Sequence, residues 1–546
     1  MSEPERNDWE ATCRKRHAGF RATLGRFGLR WLLPVLGFVS LVWFLVRVIP
    51  KPSRATYPCQ RMAAPLASGF VVWVLGLVAS VAAARRAKHY LCRSRYAIAG
   101  LCLVVSVAAL WLALSITQTK TAVADDPTPN APIGVAKGIH PGRVVWVHDP
   151  EATDWEGPGD GHWWEPAHTS QAAVDGMLSQ AIRSLTGEST DAAAWGRLFR
   201  HFNRTHGKGD VGYRPGEKVV VKVNFVGLIW RWNSANPETY ALEKRIDYMN
   251  TSPQMMRAVL RQLVDTVGVR EADVTIGDTL ALFANEYYGP LHDEFPDVHY
   301  LDHQGKLGRT GARPSSVPLY WSCRPEGCLQ DYVPVAYAEA DYLVNLANLK
   351  SHVATGVTLC GKNHFGSLVR WPVQEGYYDM HTGCFAEGMG KYREQVDLLG
   401  HAHVGAKTVL YLIDGLYPGR HPIDKAPLKW HSAPFDGDWA SSLLASQDPV
   451  AIDSVAFDFL WAEWDDHPHK LGAEDYLHEA ALADDPPSGT FYDPNHPKRV
   501  GRLASLGVHE HWNNPVDRQY SRNLGTGQGI ELVAVGPPDG ATAGGE

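Results

Sequence analysis

Three long apolar runs stand out in the first 120 residues of the chain, at residues 31–49, 63–84 and 97–117. A helix of about 20 apolar residues crosses the roughly 30 Å hydrocarbon core of a bilayer, and each run is close to that length. A cleaved signal peptide is the alternative for the first run, but two further runs follow it and no small-residue cleavage site is evident. The pattern predicts three transmembrane helices.

Lys and Arg are distributed unevenly around these runs. The N-terminal segment and the loop between the second and third runs carry more of them than the other two flanks. Because cytoplasmic flanks carry the basic excess, we expect a multi-pass protein of the cell membrane with a cytoplasmic N-terminus and a large periplasmic or extracellular domain. The predicted organisation is a cytoplasmic segment at 1–30, a three-span anchor at 31–117, a linker at 118–140 and an extracytoplasmic α/β domain at 141–546.

Beyond residue 140, short apolar runs of strand length alternate with helical patterns. One helix has clear boundary signals, with Ser252 suited to the N-cap, Pro253 to the first helical position and Gly268 to the stop. This alternation predicts an α/β fold with a mainly parallel sheet and helices on both faces, preceded by the three transmembrane helices. Strands are expected at 143–148, 218–224, 273–278, 298–301, 342–347, 407–414 and 441–446, helices at 171–185, 192–202 and 450–461, and a long excursion from the sheet at 305–333.

Composition narrows the functional class. The chain has 546 residues, of which 45% are hydrophobic, so it has ample material for a large core. Its formal charge of -7, with no basic block after residue 100, argues against a nucleic-acid partner. Motifs of serine hydrolases, kinases and NTPases are absent from the sequence.

Polar residues follow several of the predicted strands. Lys222 and Asn224 close one strand, Asp278 the next, and Asp414 a later one. The segment 345–352, with the sequence NLANLKSH, and the segment 362–366, with the sequence KNHFG, place cations, amides and imidazoles just beyond an apolar run. Each residue alone has an ordinary role as a cap or a strand terminus. Together they predict a crevice at the ends of the strands, where α/β folds bind ligands.

The residue types indicate the chemistry of this crevice. Lysines crowded together have lowered pKa values, and histidine titrates near neutrality, so we expect acid–base catalysis from Lys350, His352 and Lys362. A small anionic ligand would be held by Lys222, Asn224, Asn363 and His364. Carboxylate oxygens are the ligands that hard divalent cations prefer, and the candidates here are Asp278, Asp414 and Asp453. The neighbouring Asp448 is interpreted as an N-cap before Pro449.

Four of the eight cysteines fall in the large domain, at Cys323, Cys328, Cys360 and Cys384. In an oxidising compartment they would form two disulfides, and Cys323 and Cys328 are close enough to close a small loop. Metal ligation is the alternative, although the lack of a C-x2-C repeat argues against an iron–sulfur cluster or a zinc ribbon. A divalent metal bound by carboxylates stays the candidate cofactor.

Several motifs of the chain resemble those of the domain of unknown function 362 family. They are Val221-Lys-Val-Asn224, Ile276-Gly-Asp278, Leu349-Lys-Ser-His352, Gly361-Lys-Asn-His-Phe-Gly366 and Ala445-Ser-Gln-Asp-Pro-Val-Ala-Ile-Asp453. The resemblance covers roughly residues 141–515, in order, with the membrane anchor as an addition. It implies an α/β fold but no established general reaction. Some relatives carry ferredoxin-like cysteine clusters that this chain lacks, and Val223 stands where the family usually has proline.

Two functions of different classes follow from these observations. The first is an extracytoplasmic enzyme that acts on a small anionic substrate through lysine and histidine acid–base chemistry, with a divalent metal as a candidate aid. The second is a non-catalytic anion- or metal-binding module that serves a membrane-protein partner. The three-span anchor, which exceeds what a tether requires, favours such a partner.

Overall fold

The computed structural model describes residues 43, 74, 80–90, 92–93, 95–117, 128–229, 234–243, 247–322, 329–369, 393–421 and 426–536. The chain divides into two compact units, Met1–Asp125 and Asp126–Glu546. The candidate chemistry lies in the second unit.

The described residues of the first unit are mainly helical. Residues 80–90 are helical, and the helix α1 spans Tyr96–Thr117, with side chains described as far as Ser106. The hydroxyl of Ser80 donates to the carbonyl of Ser106 at 3.0 Å, and the hydroxyl of Ser106 donates to the carbonyl of Ser80 at 2.9 Å. These residues come from two different apolar runs, which therefore meet through a buried polar contact.

The helices of the structure contradict the predicted membrane anchor. Within the part of the chain that the structure describes, no helix combines the length and the apolar character that crossing a membrane requires. This corrects the predicted three transmembrane helices, the integral membrane association and the multi-pass location in the cell membrane. A run of apolar residues in the sequence does not by itself establish a helix that can cross a membrane. The predicted span at 31–49 and most of that at 63–84 lie on residues outside the described ranges.

The strands of the second unit span from residue 133 to residue 535. They are β1 (Ile133–Gly134), β2 (Arg143–His148), β3 (Val219–Lys222), β4 (Val274–Gly277), β5 (His299–Asp302), β6 (Thr310–Gly311), β7 (Pro314–Tyr320), β8 (Leu329–Pro334), β9 (Tyr342–His352), β10 (Gly356–Thr358), β11 (Thr408–Gly419), β12 (Ser442–Ser446), β13 (Val508–His509) and β14 (Glu531–Val535).

The helices of the second unit lie between these strands. They are α2 (Gln171–Thr186), α3 (Asp191–Thr205), α4 (Pro253–Arg261), α5 (Asn285–His292), α6 (Val335–Glu339), α7 (Cys360–Asn363), α8 (Glu394–Gly400), α9 (Pro449–Glu463) and α10 (Asp475–Ala481). A π-helical turn, Gln262–Val267, continues α4.

A central sheet organises the second unit. Its strand order in the described residues is β14-β2-β12-β11-β9-β3-β4-β5-β6, and β10 pairs with β9 at one side. The strand β12 runs antiparallel to β2 and β11, and β10 runs antiparallel to β9, whereas the other neighbours are parallel. The structure is thus a mixed α/β fold with a central sheet, as the alternating pattern predicted.

The two faces of the sheet bury two separate cores. Alternate residues of β2 point to opposite faces, so Val145 and Val147 join one core while Val144 and Trp146 join the other. The first core includes residues of α2, α3 and α4, and the second includes residues of α9 and α10. The sheet is therefore covered by helices on both faces.

Local signals place the starts of two helices that carry the site. Ser252 caps α4 by accepting a hydrogen bond from the amide of Met255, and Pro253 takes the first position, as predicted. Gly268 ends the helical segment in the left-handed conformation, with φ of 81°. Asp448 caps α9 by accepting from the amides of Val450 and Ala451, which confirms its interpretation as an N-cap.

The structure extends or divides several predicted elements. β9 continues to His352 and β11 to Gly419, beyond the predicted ends at 347 and 414. The reason is that their polar residues are buried and bond to groups in other segments, as Lys350 does to Asn224 and Asp414 to the amide of Ser252, so these residues do not terminate the strands. The predicted excursion at 305–333 contains β6 and an antiparallel pair formed by β7 and β8.

A buried lysine and amide cluster as candidate site

The candidate site lies where the order of strand addition reverses. The strands β4, β5 and β6 follow β3 on one side, while β11 and β12 follow β9 on the other. β3 and β9 are parallel neighbours, with Lys222 at the end of β3 opposite Asn345 in β9. Such a switch point leaves a crevice at the carboxyl ends of the strands. Asn224, just after β3, and Lys350, in the far half of β9, meet at this end of the sheet.

Lys222 is the centre of the cluster and is fully buried. Its ammonium donates to Asp278 Oδ2 at 2.9 Å and to Asn363 Oδ1 at 3.0 Å, and it also contacts the carbonyl of Val223. Burial lowers the pKa of Lys222, and the carboxylate of Asp278 acts in the opposite direction. This lysine is therefore matched by one carboxylate.

Lys350 is also fully buried, but it bonds neutral oxygens. Its ammonium donates to Asn224 Oδ1 at 2.7 Å and contacts the carbonyl of Met249. Burial and the nearby Lys362 hold its pKa well below the usual range. Asn224 in turn donates to Asn363 Oδ1 at 3.1 Å, so two amides join Lys350 to Lys222.

Lys362 sits in α7 beside this network. Lys362 is 8% exposed, and its ammonium lies 4.3 Å from the centroid of the Phe365 ring. Among the described residues it has no hydrogen-bond acceptor and no carboxylate at ion-pair distance. Burial, followed by the charge of Lys222, lowers the pKa of Lys362 to about 7. Near neutral pH this side chain is therefore divided between cation and free amine.

His364 is engaged by neighbours at both ring nitrogens. Its Nε2 lies 2.9 Å from Asn345 Nδ2, and its Nδ1 lies 3.0 Å from Ser367 Oγ. Burial lowers the pKa of His364 to about 3, so the imidazole is neutral. Because an amide nitrogen can only donate, we assign the ring proton to Nδ1. This geometry makes His364 a support for Asn345, and its predicted contact with a ligand stays a prediction.

The family comparison covers this part of the chain. Residues 219–458 match the family model described as Domain of unknown function (DUF362). The chain contains a DUF362 domain. It begins at the first residue of β3 and ends within α9, so it encloses the lysine cluster and is shorter at both ends than the resemblance suggested. A comparison with curated proteins finds no match.

Two glycines of the DUF362 domain make room for Asp278. At Gly277, with φ of 154°, a Cβ would stand 1.9 Å from the carbonyl oxygen of Leu301 in the neighbouring strand. At Gly366, a Cβ would stand 2.7 Å from both carboxylate oxygens of Asp278. Any side chain at these positions would displace the carboxylate or its strand. Steric crowding thus explains why a glycine precedes Asp278 at the end of β4.

The three aspartates predicted as metal ligands have separate partners. Asp278 accepts from Lys222 and from the amide of Leu280, and Asp414 accepts from the amides of Ser252 and Leu416. The carboxylate groups do not converge on one point within the described residues. Their role as metal ligands stays a prediction, while their observed contacts are structural.

Asp453 holds the turn that carries Lys362. Its two carboxylate oxygens accept from the amides of Cys360 and Gly361, at 2.8 and 2.9 Å, and Tyr476 donates at 3.0 Å. Burial raises the pKa of Asp453 to about 6 in spite of these donors. The first turn of α7 is therefore anchored to α9 through one side chain.

His352 lies near the end of β9 in a turn. Its Nδ1 accepts from the amides of Ala354 and Thr355, at 3.0 and 3.2 Å, and its ring centroid is 6.0 Å from that of His421. These contacts orient the ring, and the catalytic role of His352 stays a prediction.

Sequence reasoning placed Asn345 in the predicted polar segment 345–352 without giving it a role, and it missed Gln395. Asn345 donates to the carbonyl of Cys360 and accepts from Asn363 Nδ2 at 2.8 Å. Its position inside an apolar strand was the available signal, because a buried amide requires partners. Gln395 of α8 is buried without a hydrogen-bond partner in the described part of the chain, and its Oε1 lies 2.9 Å from where a Cβ on Gly361 would stand. No sequence pattern pointed to it.

Cys360 corrects the expected disulfide set. It is buried and free, and burial raises the pKa of its thiol well above the usual value. Two disulfides among the four cysteines of the large domain would require Cys360 to pair, so that set does not form. Cys323, Cys328 and Cys384 lie outside the described residues.

Proposed function

We propose that the DUF362 domain binds a small anion at the lysine cluster and acts on it through Lys362 as the acid–base group. The observation that supports this proposal is that the buried lysines of the cluster outnumber the carboxylates paired with them. Three buried lysines meet in one region, and in the described residues only Lys222 has a carboxylate at ion-pair distance. Buried ammonium groups without partners are costly, and an incoming carboxylate or phosphate would offset that cost.

Lys362 is the group best placed to meet the anion. Lys222 and Lys350 already donate to side-chain and backbone oxygens, whereas the ammonium of Lys362 lies against an aromatic ring. Gln395 offers an unpartnered amide close to the same turn. A charged lysine and a free amide are groups that bind carboxylate or phosphate oxygens.

The protonation state of Lys362 suits acid–base chemistry. A general base or acid works best when its pKa is near the working pH, and the pKa of Lys362 is about 7. In the proposed reaction the free amine takes a proton from the bound anion, and the resulting ammonium returns it to the product. Lys222, which is paired with Asp278, contributes positive charge that stabilises the developing negative charge, and Lys350 contributes a hydrogen-bond donor.

Binding of simple anions by the purified full-length chain is the first test. Isothermal titration with inorganic phosphate, acetate and malonate at pH 6 and pH 8 should give saturable binding by at least one of them. Acetate, which has the same charge at both pH values, should bind more tightly at pH 6, because Lys362 is then an ammonium. Lys362→Met should weaken binding by roughly tenfold or more, as for loss of a charge-assisted contact. Lys306→Met, which removes an exposed lysine paired with Glu238, should leave binding unchanged.

Two results would contradict the proposal. One is the absence of binding by any of these anions at both pH values. The other is an equal loss of affinity in the Lys362 and Lys306 variants, which would mean that the anions sense only the net charge of the protein.

A non-catalytic binding module is the second candidate. It is favoured by the dense internal hydrogen bonding of Lys222, Lys350 and Asn363, which holds these groups still. The anion that binds indicates which substrates to test. With a substrate in hand, replacement of Lys350, His352 or Lys362 distinguishes an enzyme from a binding module. An enzyme should lose turnover with affinity largely retained for at least one of these variants. A binding module should show changes in affinity alone.

A further inference from the structure

A second polar cluster lies beyond the end of the DUF362 domain. Glu474, His509 and His511 each offer one potential ligand atom, and these atoms all lie within 4.8 Å of one another. His509 and His511 are buried, and Glu474 is partly exposed. Within the described residues this is the one convergent group of its kind. We propose that Glu474, His509 and His511 form a binding site for a divalent transition metal, with zinc as the expected ion.

A hydrogen bond and an ion-pair contact orient His511 as a metal ligand. Its Nδ1 lies 2.6 Å from Asp458 Oδ1, and its Nε2 lies 3.1 Å from Glu474 Oε2. A carboxylate behind the far nitrogen of a histidine is the usual support of a metal-bound imidazole, because it fixes the ring and increases its basicity. Asp458 is itself held by the amide of Trp512 and the hydroxyl of Tyr520. The support is therefore rigid.

His509 is prepared in a similar way. Its Nδ1 lies 2.9 Å from Ser454 Oγ, and the Ser454 hydroxyl donates its proton to the carbonyl of Val450 at 2.7 Å. A serine hydroxyl has one proton to donate, so the Ser454 oxygen must accept from Nδ1–H of His509. The Nε2 of His509 is then unprotonated and has a lone pair available. This is the protonation state that a metal requires.

The donor set identifies the class of ion. Two imidazoles and one carboxylate suit zinc and neighbouring first-row dications, whereas magnesium and calcium prefer oxygen ligands alone. Three protein ligands leave at least one coordination position for water or an anion. The side chain of Glu474 is 23% exposed, against 8% for His511, so Glu474 is the more accessible of these two ligands.

A proton is the competing occupant of this space. A protonated His511 could bridge Asp458 and Glu474 without any metal, and the same distances would result. A metal and a proton can be distinguished by the metal content of the protein. They also differ in the role of His509, which would be a ligand of a metal but would have no part in a protonated bridge between His511 and the carboxylates.

Metal analysis of the full-length chain tests the proposal. The protein is purified without chelator or metal-affinity resin, dialysed against micromolar zinc and then against buffer, and measured by inductively coupled plasma mass spectrometry. About one zinc per chain is expected. Cobalt(II) added to the apoprotein should give absorption bands of a nitrogen- and oxygen-ligated site, and zinc should abolish them.

Variants separate this site from adventitious binding. His509→Ala should lose bound zinc, and Glu474→Gln should weaken zinc affinity by roughly tenfold or more, because a charged ligand becomes neutral. His431→Ala, which removes an exposed histidine outside the cluster, should retain zinc. Since Glu474 is partly exposed, Glu474→Gln should keep the circular dichroism of the parent, so a folding failure can be recognised.

The proposal is overturned by either of two outcomes. The first is a parent protein that binds neither zinc nor cobalt under these conditions, in which case a proton on His511 occupies the cluster. The second is zinc that stays bound with unchanged stoichiometry and affinity in both the His509 and the Glu474 variants.

Discussion

The three lysines of the cluster differ in the groups that surround their ammonium nitrogens. Lys222 faces a carboxylate, Lys350 faces an amide and a carbonyl, and Lys362 faces an aromatic ring. Sequence alone could single out these lysines, since a cation after an apolar strand requires an explanation. It could not assign their partners, because Asn363 and Asp278 reach Lys222 only after the sheet has formed.

The buried position of Lys362 should appear in the pH dependence of stability. Its pKa is about 7 in the folded protein and near 10.4 in an unfolded chain. Between these values the unfolded state binds the proton that the folded state lacks, so stability rises with pH. One such proton contributes about 1.4 kcal/mol per pH unit to the free energy of unfolding. Urea unfolding of the parent and of Lys362→Met at pH 7 to 9 should give a steeper rise for the parent. Parallel profiles would contradict the assigned pKa.

The ion pair between Lys222 and Asp278 should be costly to break from one side. Lys222→Met leaves the carboxylate of Asp278 buried without its partner, and the expected loss is about 3–5 kcal/mol in the free energy of unfolding. The double variant Lys222→Met with Asp278→Asn removes both charges and should recover part of that loss. A double variant no more stable than the single one would show that packing, and not charge, dominates here. Chemical denaturation of the three proteins decides the matter.

Elements were predicted best where a local signal marks their start. The Ser-Pro and Asp-Pro pairs at 252–253 and 448–449 gave the first residues of α4 and α9 because capping depends on neighbours in sequence. The ends of β9 and β11 were placed too early, since their polar residues find partners across the sheet. The pair β7 and β8 was missed because its seven- and six-residue strands contain several prolines.

Asp448 should matter more than an ordinary helix cap. It accepts from Val450 and Ala451 in the helix and also from the amides of Lys137 and Val508. Asp448→Ala would leave backbone amides in two further segments without an acceptor. We therefore expect the free energy of unfolding to fall by more than the roughly 2 kcal/mol that loss of a single cap can reach. Ser252→Ala, which removes a single cap of α4, is the matched control and should cost about 1 kcal/mol. Equal losses in thermal or chemical unfolding would contradict this view of Asp448.

For the whole molecule, the DUF362 match and the folded unit have different boundaries. The strand β12 lies inside the match, but its antiparallel neighbour β2 and the next strand β14 lie outside it. The sequence pattern predicted the α/β fold because alternation of strands and helices is a property of the whole chain. It failed for the membrane anchor, because apolar composition alone does not establish a helix that can cross a membrane.

A fragment of residues 219–458 should therefore not fold independently. It would expose the edge of β12 and lose the side chains of β2 and α2 from the core. We expect aggregation or a non-cooperative denaturation profile, whereas residues 126–546, which form a compact unit, should unfold cooperatively. Size-exclusion chromatography and far-ultraviolet circular dichroism of the two fragments give the answer. A monomeric 219–458 fragment with a sharp transition would show that the outer strands are dispensable.

The helix α9 touches both polar clusters through residues that are close in sequence. Asp453 holds the turn of Lys362, the adjacent Ser454 orients His509, and Asp458 lies one turn further on behind His511. Insertion of one residue between Pro449 and Asp453 would rotate all three side chains by about 100°. Both clusters would then be dismantled by a single event, although they share no side chain. Both polar clusters thus depend on the rotation of α9 about its own axis.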